Sequence, residues 1–320
     1  MSVPRVALVG AGSMGRNHAR VIAESADADL AVVVDPFEQS GRALADTYGA
    51  QWRLDVSDLT RVDAVVVAAS TEHHYEIATE VIRAGMPMLI EKPVAPSLAQ
   101  TREILAASEV AGTPLMCGFL ERYNPAIMVA KRMIEGPLYA RADRHSPYAP
   151  RIKTGVAWDL LVHDVDLISQ IFGGQEPKTV NVEVGFFHPS SSEGAEDVVD
   201  VSLGFSQGIA SASASRLGQR KVRSLLVQTL DDMVEVDLLR RGVTLYRHTT
   251  ISEDRPGGAG FRQVTEMEVP EITGREPLAA QFARFLELVS GSADADMERR
   301  SILPAHQIVE SALAASGRRS

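Results

Sequence analysis

The chain has 320 residues and a net charge of −10, from 32 lysines and arginines against 42 aspartates and glutamates. That length exceeds one ordinary hydrophobic core and predicts two domains. The acidic balance argues against a nucleic-acid partner, which would require clustered lysine and arginine. A single cysteine, Cys117, excludes an internal disulfide and a cysteine-cluster metal site. No apolar run is long enough to span a bilayer, and the first strand begins too early for a signal peptide, so we expect a cytoplasmic protein without membrane contacts.

A glycine-rich turn follows the first strand-like run, residues 6–9, and has the sequence Gly10-Ala11-Gly12-Ser13-Met14-Gly15. Such a turn brings backbone N–H groups and a helix N-terminus to a pyrophosphate, where both favour negative charge. Gly10 permits the tight turn, Gly12 lets the backbone approach the phosphates, and Gly15 lets the helix pack closely on the strand. The turn predicts a dinucleotide site. The alternative is a glycine turn in an α/β protein that has lost its ligand.

An acidic residue, Asp35, ends the next apolar run, 20 residues after Gly15. At that spacing a carboxylate can accept hydrogen bonds from the adenosine ribose hydroxyls. The same carboxylate repels a 2′-phosphate, and Pro36 and Phe37 supply no cation to offset it, so we expect NAD rather than NADP. Arg42 could swing in and weaken this preference.

Strand-like and helix-like segments alternate through the first 120 residues, which is the pattern of a doubly wound parallel sheet. The predicted strands are 5–9, 30–34, 63–68, 87–90 and 114–118, and the predicted helices are 13–25, 38–48, 73–84 and 97–111. From about residue 179 to 269 successive strands indicate an antiparallel meander, with a mobile loop or hairpin end at 252–260. We therefore predict an α/β fold with a nucleotide-binding domain over residues 1–120 and an α+β substrate-binding and oligomerisation domain over 121–320.

The tripeptide Glu91-Lys92-Pro93 follows the apolar run 88–90, at the carboxyl end of a predicted strand. Ligands of open α/β sheets lie at that edge. Lys92 could there donate to a substrate hydroxyl and take part in proton transfer. The alternative is a surface lysine before a proline turn.

A second candidate group lies in the predicted helix 157–172, where Asp159 and His163 are four residues apart and therefore share a face. An imidazole is suited to proton transfer near neutral pH. Asp166 returns to the same face, and carboxylates around a histidine could also hold a metal. The spacing shows no third converging donor, so we expect no metal. The simpler alternative is a helix histidine satisfied by a neighbouring carboxylate.

Two further segments contain candidate ligand-binding residues. Arg122 and Asn124 follow the predicted strand 114–118, where the chain crosses to the second domain. The run 144–153 is basic and stiffened by prolines, and its cations could clamp a phosphate or diphosphate. Those cations are Arg144, Arg151 and Lys153, and Tyr148 lies among them. The alternative is a solvated loop.

Together, Gly10-x-Gly12-x-x-Gly15, Glu91-Lys92-Pro93 and Asp159-x-x-x-His163-Asp164 resemble the Gfo/Idh/MocA oxidoreductase family, which includes glucose–fructose oxidoreductase and inositol dehydrogenase. The resemblance covers nearly the whole chain. It implies a Rossmann domain, then a domain with an open antiparallel sheet that often forms oligomer contacts, so we expect a homodimer or homotetramer. By position, it assigns Lys92, Asp159 and His163 to catalysis and substrate orientation.

The segments 119–125, 150–152 and 159–164 also resemble the branch that contains UDP-N-acetylglucosamine 3-dehydrogenases. One departure concerns the cofactor: where the family often has Thr-Pro-Asn before a helix-starting histidine, this chain has Ser70-Thr71-Glu72 before His73-His74. We still expect contacts there. The predicted cofactor-binding residues are Gly10, Ala11, Gly12, Ser13, Met14, Gly15, Asp35, Ser70, Thr71, His74, Glu91, Lys92 and Arg122. The predicted substrate-binding residues are Lys92, Asn124, Tyr148, Arg151, Lys153, Asp159 and His163.

These observations predict an NAD-dependent dehydrogenase that transfers hydride between the nicotinamide and a secondary alcohol of a sugar, nucleotide sugar or polyol. In this hypothesis His163 takes the hydroxyl proton, Lys92 polarises the oxygen, and Asp159 orients the substrate or tunes His163. Lys92 and His163 could exchange roles. The alternatives are an inositol or free-sugar dehydrogenase, an enzyme that recycles tightly held NAD, and an NAD-binding sensor without catalysis.

Overall fold

The computed structural model describes residues 3–57, 59, 61–150, 152–192, 194–255 and 258–316. The chain divides into two compact units. The first comprises Met1–Tyr123 and Arg275–Gln307, and the second comprises Asn124–Gly274 and Ile308–Ser320. The helices are α1 (Ser13–Glu24), α2 (Glu38–Tyr48), α3 (His74–Arg83), α4 (Leu98–Ala111), α5 (Pro125–Met133), α6 (Val162–Ile171), α7 (Pro277–Val289), α8 (Ala295–Arg300) and α9 (Leu303–Ser316).

The first unit is built on a parallel sheet. Its strands are β1 (Arg5–Val9), β2 (Asp29–Val34), β3 (Gln51–Arg53), β4 (Ala64–Val67), β5 (Met88–Ile90) and β6 (Leu115–Cys117). They lie in the order β3-β2-β1-β4-β5-β6, so the direction of winding reverses between β1 and β4. The carboxyl ends of those two strands therefore border the crevice in which such sheets bind ligands. The predicted doubly wound sheet is confirmed, although β3, with only three residues, was not predicted.

Helix α7 corrects the predicted domain boundaries. Its apolar residues Leu278, Phe282, Phe285 and Leu288 are buried in the core of the first unit with residues of β1, β2 and α1. Residues 275–307 therefore belong to the first unit and not to the predicted domain 121–320. The spacing of these residues predicts an amphipathic helix, but it contains no information about which sheet the helix covers.

The second unit contains a mostly antiparallel sheet. Its strands are β7 (Tyr139–His145), β8 (Thr179–Gly185), β9 (Val198–Gly204), β10 (Ile209–Ser215), β11 (Val222–Gln228), β12 (Asp232–Asp237), β13 (Gly242–Arg255) and β14 (Gly258–Glu268). They lie in the order β14-β13-β12-β11-β7-β10-β9-β8, and β7 pairs with β10 in parallel. Helix α6 packs against β7 and β10, while a shallow 470 Å³ depression marks the opposite face of β7 to β10.

Two segments of this sheet differ from the predictions. β7 ends at His145 and therefore includes the start of the run 144–153, for which the sequence predicts a basic loop. The charged residues of β7 obscure a strand alternation in which Ala140 and Ala142 are buried. The predicted loop 252–260 is mostly paired backbone, since β13 extends to Arg255 and β14 begins at Gly258. The intervening residues 256 and 257 lie outside the described residues.

Candidate active site

The glycine turn of the first unit has the geometry that its sequence predicts. Gly10 has φ +100°, and a Cβ there would lie 2.6 Å from the Ala68 carbonyl oxygen. A Cβ on Gly15 would lie 1.9 Å from the Gly10 carbonyl oxygen. Around a Cβ on Gly12 there is open space to 4 Å. The first and third glycines are therefore required by packing, whereas Gly12 leaves room for a ligand beside the N-terminus of α1.

A cavity of 710 Å³ opens beside this turn. It is lined by residues 9–12, the end of β2 and the turn after it, residues 54–56 after β3, and residues 68–70 after β4 with the start of α3. Of the predicted cofactor contacts, the lining includes Gly10, Ala11, Gly12, Asp35 and Ser70. Its position at the carboxyl ends of β1, β2 and β4 is that of a dinucleotide site.

Two apolar side chains at the cavity were not predicted as site residues. Phe37 is 76% exposed and Leu54 is 57% exposed, and both line the cavity. Large apolar side chains that line a cavity and stay exposed to solvent are suited to pack against the planar adenine base of a dinucleotide. Phe37 could have been recognised, since it follows the acidic residue and its proline directly.

The Asp35 carboxylate is buried and holds the glycine turn to the end of β2. Its Oδ2 accepts a hydrogen bond from Ala11 N at 2.7 Å, and its Oδ1 accepts from Phe37 N at 2.9 Å. Oδ1 also accepts from Ser40 Oγ at 3.3 Å, so the remaining acceptor capacity lies on Oδ2. Asp35 lines the cavity together with Asp55, Glu76 and Glu80. Arg16 also lines the cavity, so the carboxylates outnumber the arginine four to one. This excess of carboxylates disfavours the 2′-phosphate of NADP and suits NAD.

Glu91 and His74, predicted as cofactor contacts, have protein partners in the structure. Glu91 Oε1 lies 2.8 Å from Nε2 of the buried His18. His74 is also buried, with Nδ1 2.8 Å from the Pro93 carbonyl oxygen and Nε2 3.1 Å from that of Ala69. Neither residue is among the described residues that line the cavity. Both bind the loop that carries Lys92, which is partly buried and precedes a cis peptide bond to Pro93.

Arg122 and Asn124 also differ from their predicted roles. Arg122 Nη1 donates to Ser301 Oγ at 2.7 Å and its Nη2 donates to the Ser301 carbonyl at 3.0 Å, so the guanidinium fastens the end of α8. Asn124 caps α5 through a bond from Ala126 N at 3.1 Å and donates to the Leu238 carbonyl at 3.2 Å. Both are interior structural contacts, which single-sequence spacing does not distinguish from ligand contacts.

In the second unit, the segment that carries Asp159 begins with a π-helical turn, Ala157–Leu161, and continues as α6 with His163 in its first turn. A regular α-helix was predicted, and π-turns are frequent at functional sites. Glu196 Oε1 accepts from Ala157 N at 2.7 Å at the start of the turn. Burial raises the pKa of Glu196, against the lowering effects of the Ala157 N–H, its own N–H and the Arg216 charge.

Asp159 has a partner that the sequence did not reveal. Its Oδ2 lies 2.7 Å from Nη2 of the buried Arg216, directly after β10. Arg216 Nη1 donates at 2.5 Å to the Thr154 carbonyl, in the segment before the π-turn. The guanidinium therefore fixes both the carboxylate of Asp159 and the backbone that leads to it. The only local sign is an arginine at the end of a strand of small residues.

The residues of the predicted phosphate clamp differ in their surroundings. Arg144 is wrong as a clamp residue, since it is 2% exposed and its guanidinium pairs with both oxygens of Asp164, at 2.7 and 2.9 Å. Tyr148 stacks on His188 with ring centroids 3.5 Å apart and donates to the Ser190 carbonyl. Lys153 is exposed, and Arg151 lies outside the described residues.

Two family models match the chain. The oxidoreductase family with an NAD-binding Rossmann fold matches residues 4–119, and the GFO/IDH/MocA C-terminal domain matches residues 132–229. The chain belongs to the GFO/IDH/MocA oxidoreductase family. The predicted family, its α/β fold and its NAD-binding Rossmann domain are confirmed. The cavity beside Gly12 and Asp35 fits that cofactor.

The curated and solved relatives include dehydrogenases. UDP-N-acetylglucosamine 3-dehydrogenase from Acidithiobacillus ferrooxidans is 27% identical over 89% of this chain and 88% of its own. A solved structure of that protein has a TM-score of 0.84 at 25% identity, over 98% of this chain and 99% of that one. Inositol 2-dehydrogenase from Rhizobium meliloti is 28% identical over 62% of this chain and 64% of its own.

A second solved structure bears on the fold. An oxidoreductase from Agrobacterium radiobacter in complex with NAD⁺, L-tartaric acid and magnesium has a TM-score of 0.83 at 18% identity, over 99% of this chain and 98% of that one. The family model and the named dehydrogenases confirm the prediction of an NAD-linked dehydrogenase at the level of the family. Among the described residues, no helix has both the length and the apolar character to cross a bilayer. The described side chains also form no group of three metal-binding residues.

Proposed function

We propose that this enzyme oxidises a secondary alcohol of a nucleotide sugar of the UDP-N-acetylglucosamine type, with NAD as the acceptor. The observation that carries this substrate class is the extent of the match. The UDP-N-acetylglucosamine 3-dehydrogenase aligns with 89% of this chain, whereas the inositol 2-dehydrogenase aligns with 62%. The likeness to the nucleotide-sugar enzyme thus extends through both units.

The residues of the 710 Å³ cavity would hold the cofactor. Gly12 and the N-terminus of α1 receive the pyrophosphate, Asp35 accepts from the adenosine ribose, and Phe37 and Leu54 cover the base. NAD, when bound there, supplies the acceptor for the hydride that leaves the alcohol carbon.

Three side chains of this chain are assigned to the alcohol. His163 accepts the proton of the hydroxyl group, since imidazole exchanges protons near neutral pH. Lys92 donates a hydrogen bond to the same oxygen and stabilises the negative charge that develops on it. Asp159, oriented by Arg216 at 2.7 Å, fixes the substrate through a neighbouring hydroxyl. Lys153, with Arg151 and Tyr148, is assigned to the diphosphate.

Assembly into a homodimer or homotetramer is also part of the proposal. The family resemblance implies it, and one face of the second sheet around β7 to β10 carries the shallow depression described above. Light scattering of the purified protein measures this directly, and a monomer at micromolar concentration would contradict it.

Replacement of His163 tests the assignment of the proton acceptor. We expect His163→Asn to lower kcat for a UDP-sugar at least about a hundredfold, because general-base contributions have that size. The Kd for NAD should stay close to that of the wild type. His248→Asn, at an exposed histidine of β13 outside the residues assigned to substrate or cofactor, is the matched control, with kcat retained. Comparable losses of kcat and NAD affinity in His163→Asn would contradict the role.

A further inference from the structure

We propose that three buried histidines from separate helices, His18, His74 and His306, together position Lys92. We call them the histidine cradle. The inference rests on the proposed function for the role of Lys92 in the reaction. It adds a set of positioning residues, all within the first unit, whose partners are the consecutive residues around that lysine.

The first contact fixes the residue before Lys92. His18 in α1 is 1% exposed, and its Nε2 lies 2.8 Å from Glu91 Oε1. The other carboxylate oxygen, Oε2, lies 3.4 Å from Lys92 N. A Cβ on Gly118 would fall 2.7 Å from that same Oε2. Because residue 118 is glycine, the Glu91 carboxylate has room to contact both His18 and the backbone N–H of Lys92.

The second contact fixes the residue after Lys92. His74, at the start of α3, is 1% exposed and lies between two backbone carbonyls. Its Nδ1 is 2.8 Å from the Pro93 oxygen, and its Nε2 is 3.1 Å from the Ala69 oxygen. Ala69 follows β4 and lines the NAD cavity. The ring thus joins the lysine loop to the wall of the cofactor site.

The third contact fixes the next residue along. His306 in α9 is 1% exposed; its Nε2 accepts from Val94 N at 3.1 Å and its Nδ1 donates to the Ile302 carbonyl at 3.0 Å. Burial lowers the pKa of His306 to about 4, so its ring is neutral at neutral pH and Nε2 stays an acceptor. Phe119 packs edge-on against the ring, with centroids 5.7 Å apart.

The three contacts leave little freedom for the lysine loop. The carboxylate of Glu91, the carbonyl of Pro93 and the N–H of Val94 each have a buried imidazole partner. Glu91 N still donates to the Val67 carbonyl of β4 at 2.9 Å, whereas the Pro93 carbonyl and the Val94 N–H lie beyond the paired residues of β5, and buried polar groups require partners. Because rigid rings supply all three contacts, the geometry fixes the backbone from which the Lys92 side chain projects.

A matched pair of substitutions at His306 separates positioning from mere packing. In His306→Gln the amide oxygen can reach the place of Nε2 and accept from Val94 N. In His306→Asn the shorter amide reaches only the place of Nδ1, so Val94 N–H loses its acceptor. We expect His306→Gln to keep kcat for a UDP-sugar, and His306→Asn to lower it about tenfold with an unchanged Kd for NAD, since small misplacements of a reacting group have large effects.

A second readout does not depend on turnover. Trace acetylation of each protein, followed by mass spectrometry, gives the labelling of Lys92 relative to the exposed Lys178. We expect His306→Asn to change this ratio and His306→Gln to leave it as in the wild type. If the ratio and kcat in His306→Asn equal those of His306→Gln in folded protein, the cradle does not position the lysine and the inference is wrong.

Two controls keep the outcomes separate. If His306→Asn does not fold, His18→Gln, which retains a donor for Glu91, and His18→Leu, which does not, give the same comparison, and equal ratios in that pair would also overturn the inference. A wild-type protein that oxidises no alcohol, with a labelling ratio that moves only in His306→Asn, would support the cradle and refute the proposed reaction. A wild type that oxidises a UDP-sugar, with the same labelling ratio of Lys92 to Lys178 in all variants, would support the proposed reaction and refute the cradle.

Discussion

At the scale of single residues, Asp35 combines two tasks that are usually described separately. Its carboxylate accepts from Ala11 N and Phe37 N, so it closes the glycine turn. It also lines the cavity, where the ribose of NAD would find a remaining acceptor. In the proposed function, the residue that selects the cofactor therefore also shapes the loop that binds its phosphates.

Asp35→Asn should consequently impair both stability and binding. An amide group has one acceptor oxygen, so either Ala11 N–H or Phe37 N–H loses its partner, at a cost of roughly 1–3 kcal/mol in the free energy of unfolding. We expect weaker NAD binding in calorimetric titration and a smaller preference for NAD over NADP. Asp46→Asn, at an exposed carboxylate of α2 outside the cavity lining, is the control, with NAD affinity and cofactor preference retained. Unchanged stability and NAD affinity in Asp35→Asn would contradict this account.

Glu196 predicts a pH-dependent change in stability. Because burial raises its pKa in the folded protein above the ordinary value of 4.5, its ionisation opposes folding. The protein thus gains stability as pH falls through the raised pKa, and the gain is complete below 4.5. Glu196→Gln keeps an acceptor for Ala157 N and removes the ionisation. We expect its Tm to exceed that of the wild type near neutral pH, with a gap that narrows towards pH 4.5.

Thermal melts between neutral pH and pH 4.5 measure the difference in Tm between Glu196→Gln and the wild type. Glu235→Gln on β12, an exposed position, controls for the exchange of the carboxyl group itself. A Tm difference that widens as pH falls would contradict a raised pKa of Glu196 in the folded protein.

The residues that the sequence revealed and those it hid differ in how far their partners lie along the chain. Gly10, Gly15 and Asp35 belong to one short motif, in which Asp35 meets Ala11 across 24 residues, so their spacing was enough to place them. Arg216 meets Asp159 across 57 residues, and His306 meets Val94 across 212. Such pairings are made by the fold, and no local pattern in a single sequence predicts them.

At the scale of elements, the turn between β1 and α1 separates a packing requirement from a binding requirement. A Cβ on Gly15 would collide with the Gly10 carbonyl at 1.9 Å, whereas a Cβ on Gly12 meets no protein atom within 4 Å. The same chemical change at two positions of one turn should therefore have different consequences.

We expect Gly15→Ala to lower Tm strongly or to prevent folding, because α1 must move away from the turn. Gly12→Ala should keep the wild-type Tm and weaken NAD binding by about tenfold or more, equivalent to about 1.4 kcal/mol, since the methyl group occupies the ligand's space. Melting curves with and without NAD test both. A Gly12→Ala protein that binds NAD as the wild type does would place the pyrophosphate elsewhere.

The junction of β7 with α6 depends on a buried ion pair. Arg144 and Asp164 have side chains 2% and 1% exposed, with nitrogen–oxygen distances of 2.7 and 2.9 Å. Asp164→Asn should cost about 3–5 kcal/mol in the free energy of unfolding, because the buried guanidinium loses the negative charge of Asp164. Asp143→Asn breaks the Arg141–Asp143 pair on the same strand, where Arg141 is 58% exposed, and should cost about 0–1 kcal/mol. Equal losses in urea unfolding would refute the distinction.

Local pattern predicted the elements of the first unit well and those of the second less well. Parallel strands such as β4 are buried on both faces and appear as apolar runs. β7 has Arg141, Asp143 and Arg144 in one strand, and only its pairing with β10 and β11 makes it a central strand. Tertiary pairing there outweighs local composition.

At the scale of the whole molecule, the first compact unit is built from two segments that are far apart along the chain. The first unit ends at Tyr123 and resumes at Arg275, where α7 covers the parallel sheet. The histidine cradle uses this return, since His306 lies in the second segment of that unit and contacts Val94 in the first. A prediction of two consecutive domains, 1–120 and 121–320, misses this arrangement because it assigns each helix to the sheet that is nearest in sequence.

The central claim is that the enzyme oxidises a nucleotide sugar with NAD, and NADH formation by the purified protein tests it most directly. The absorbance of NADH would be followed with NAD and a panel of UDP-sugars, the corresponding free sugars, and inositols. The account predicts NADH with a UDP-sugar and none with its free sugar. Turnover of free sugars or inositols alone would contradict the substrate class, and no NADH with any alcohol, despite tight NAD binding, would contradict the claim itself.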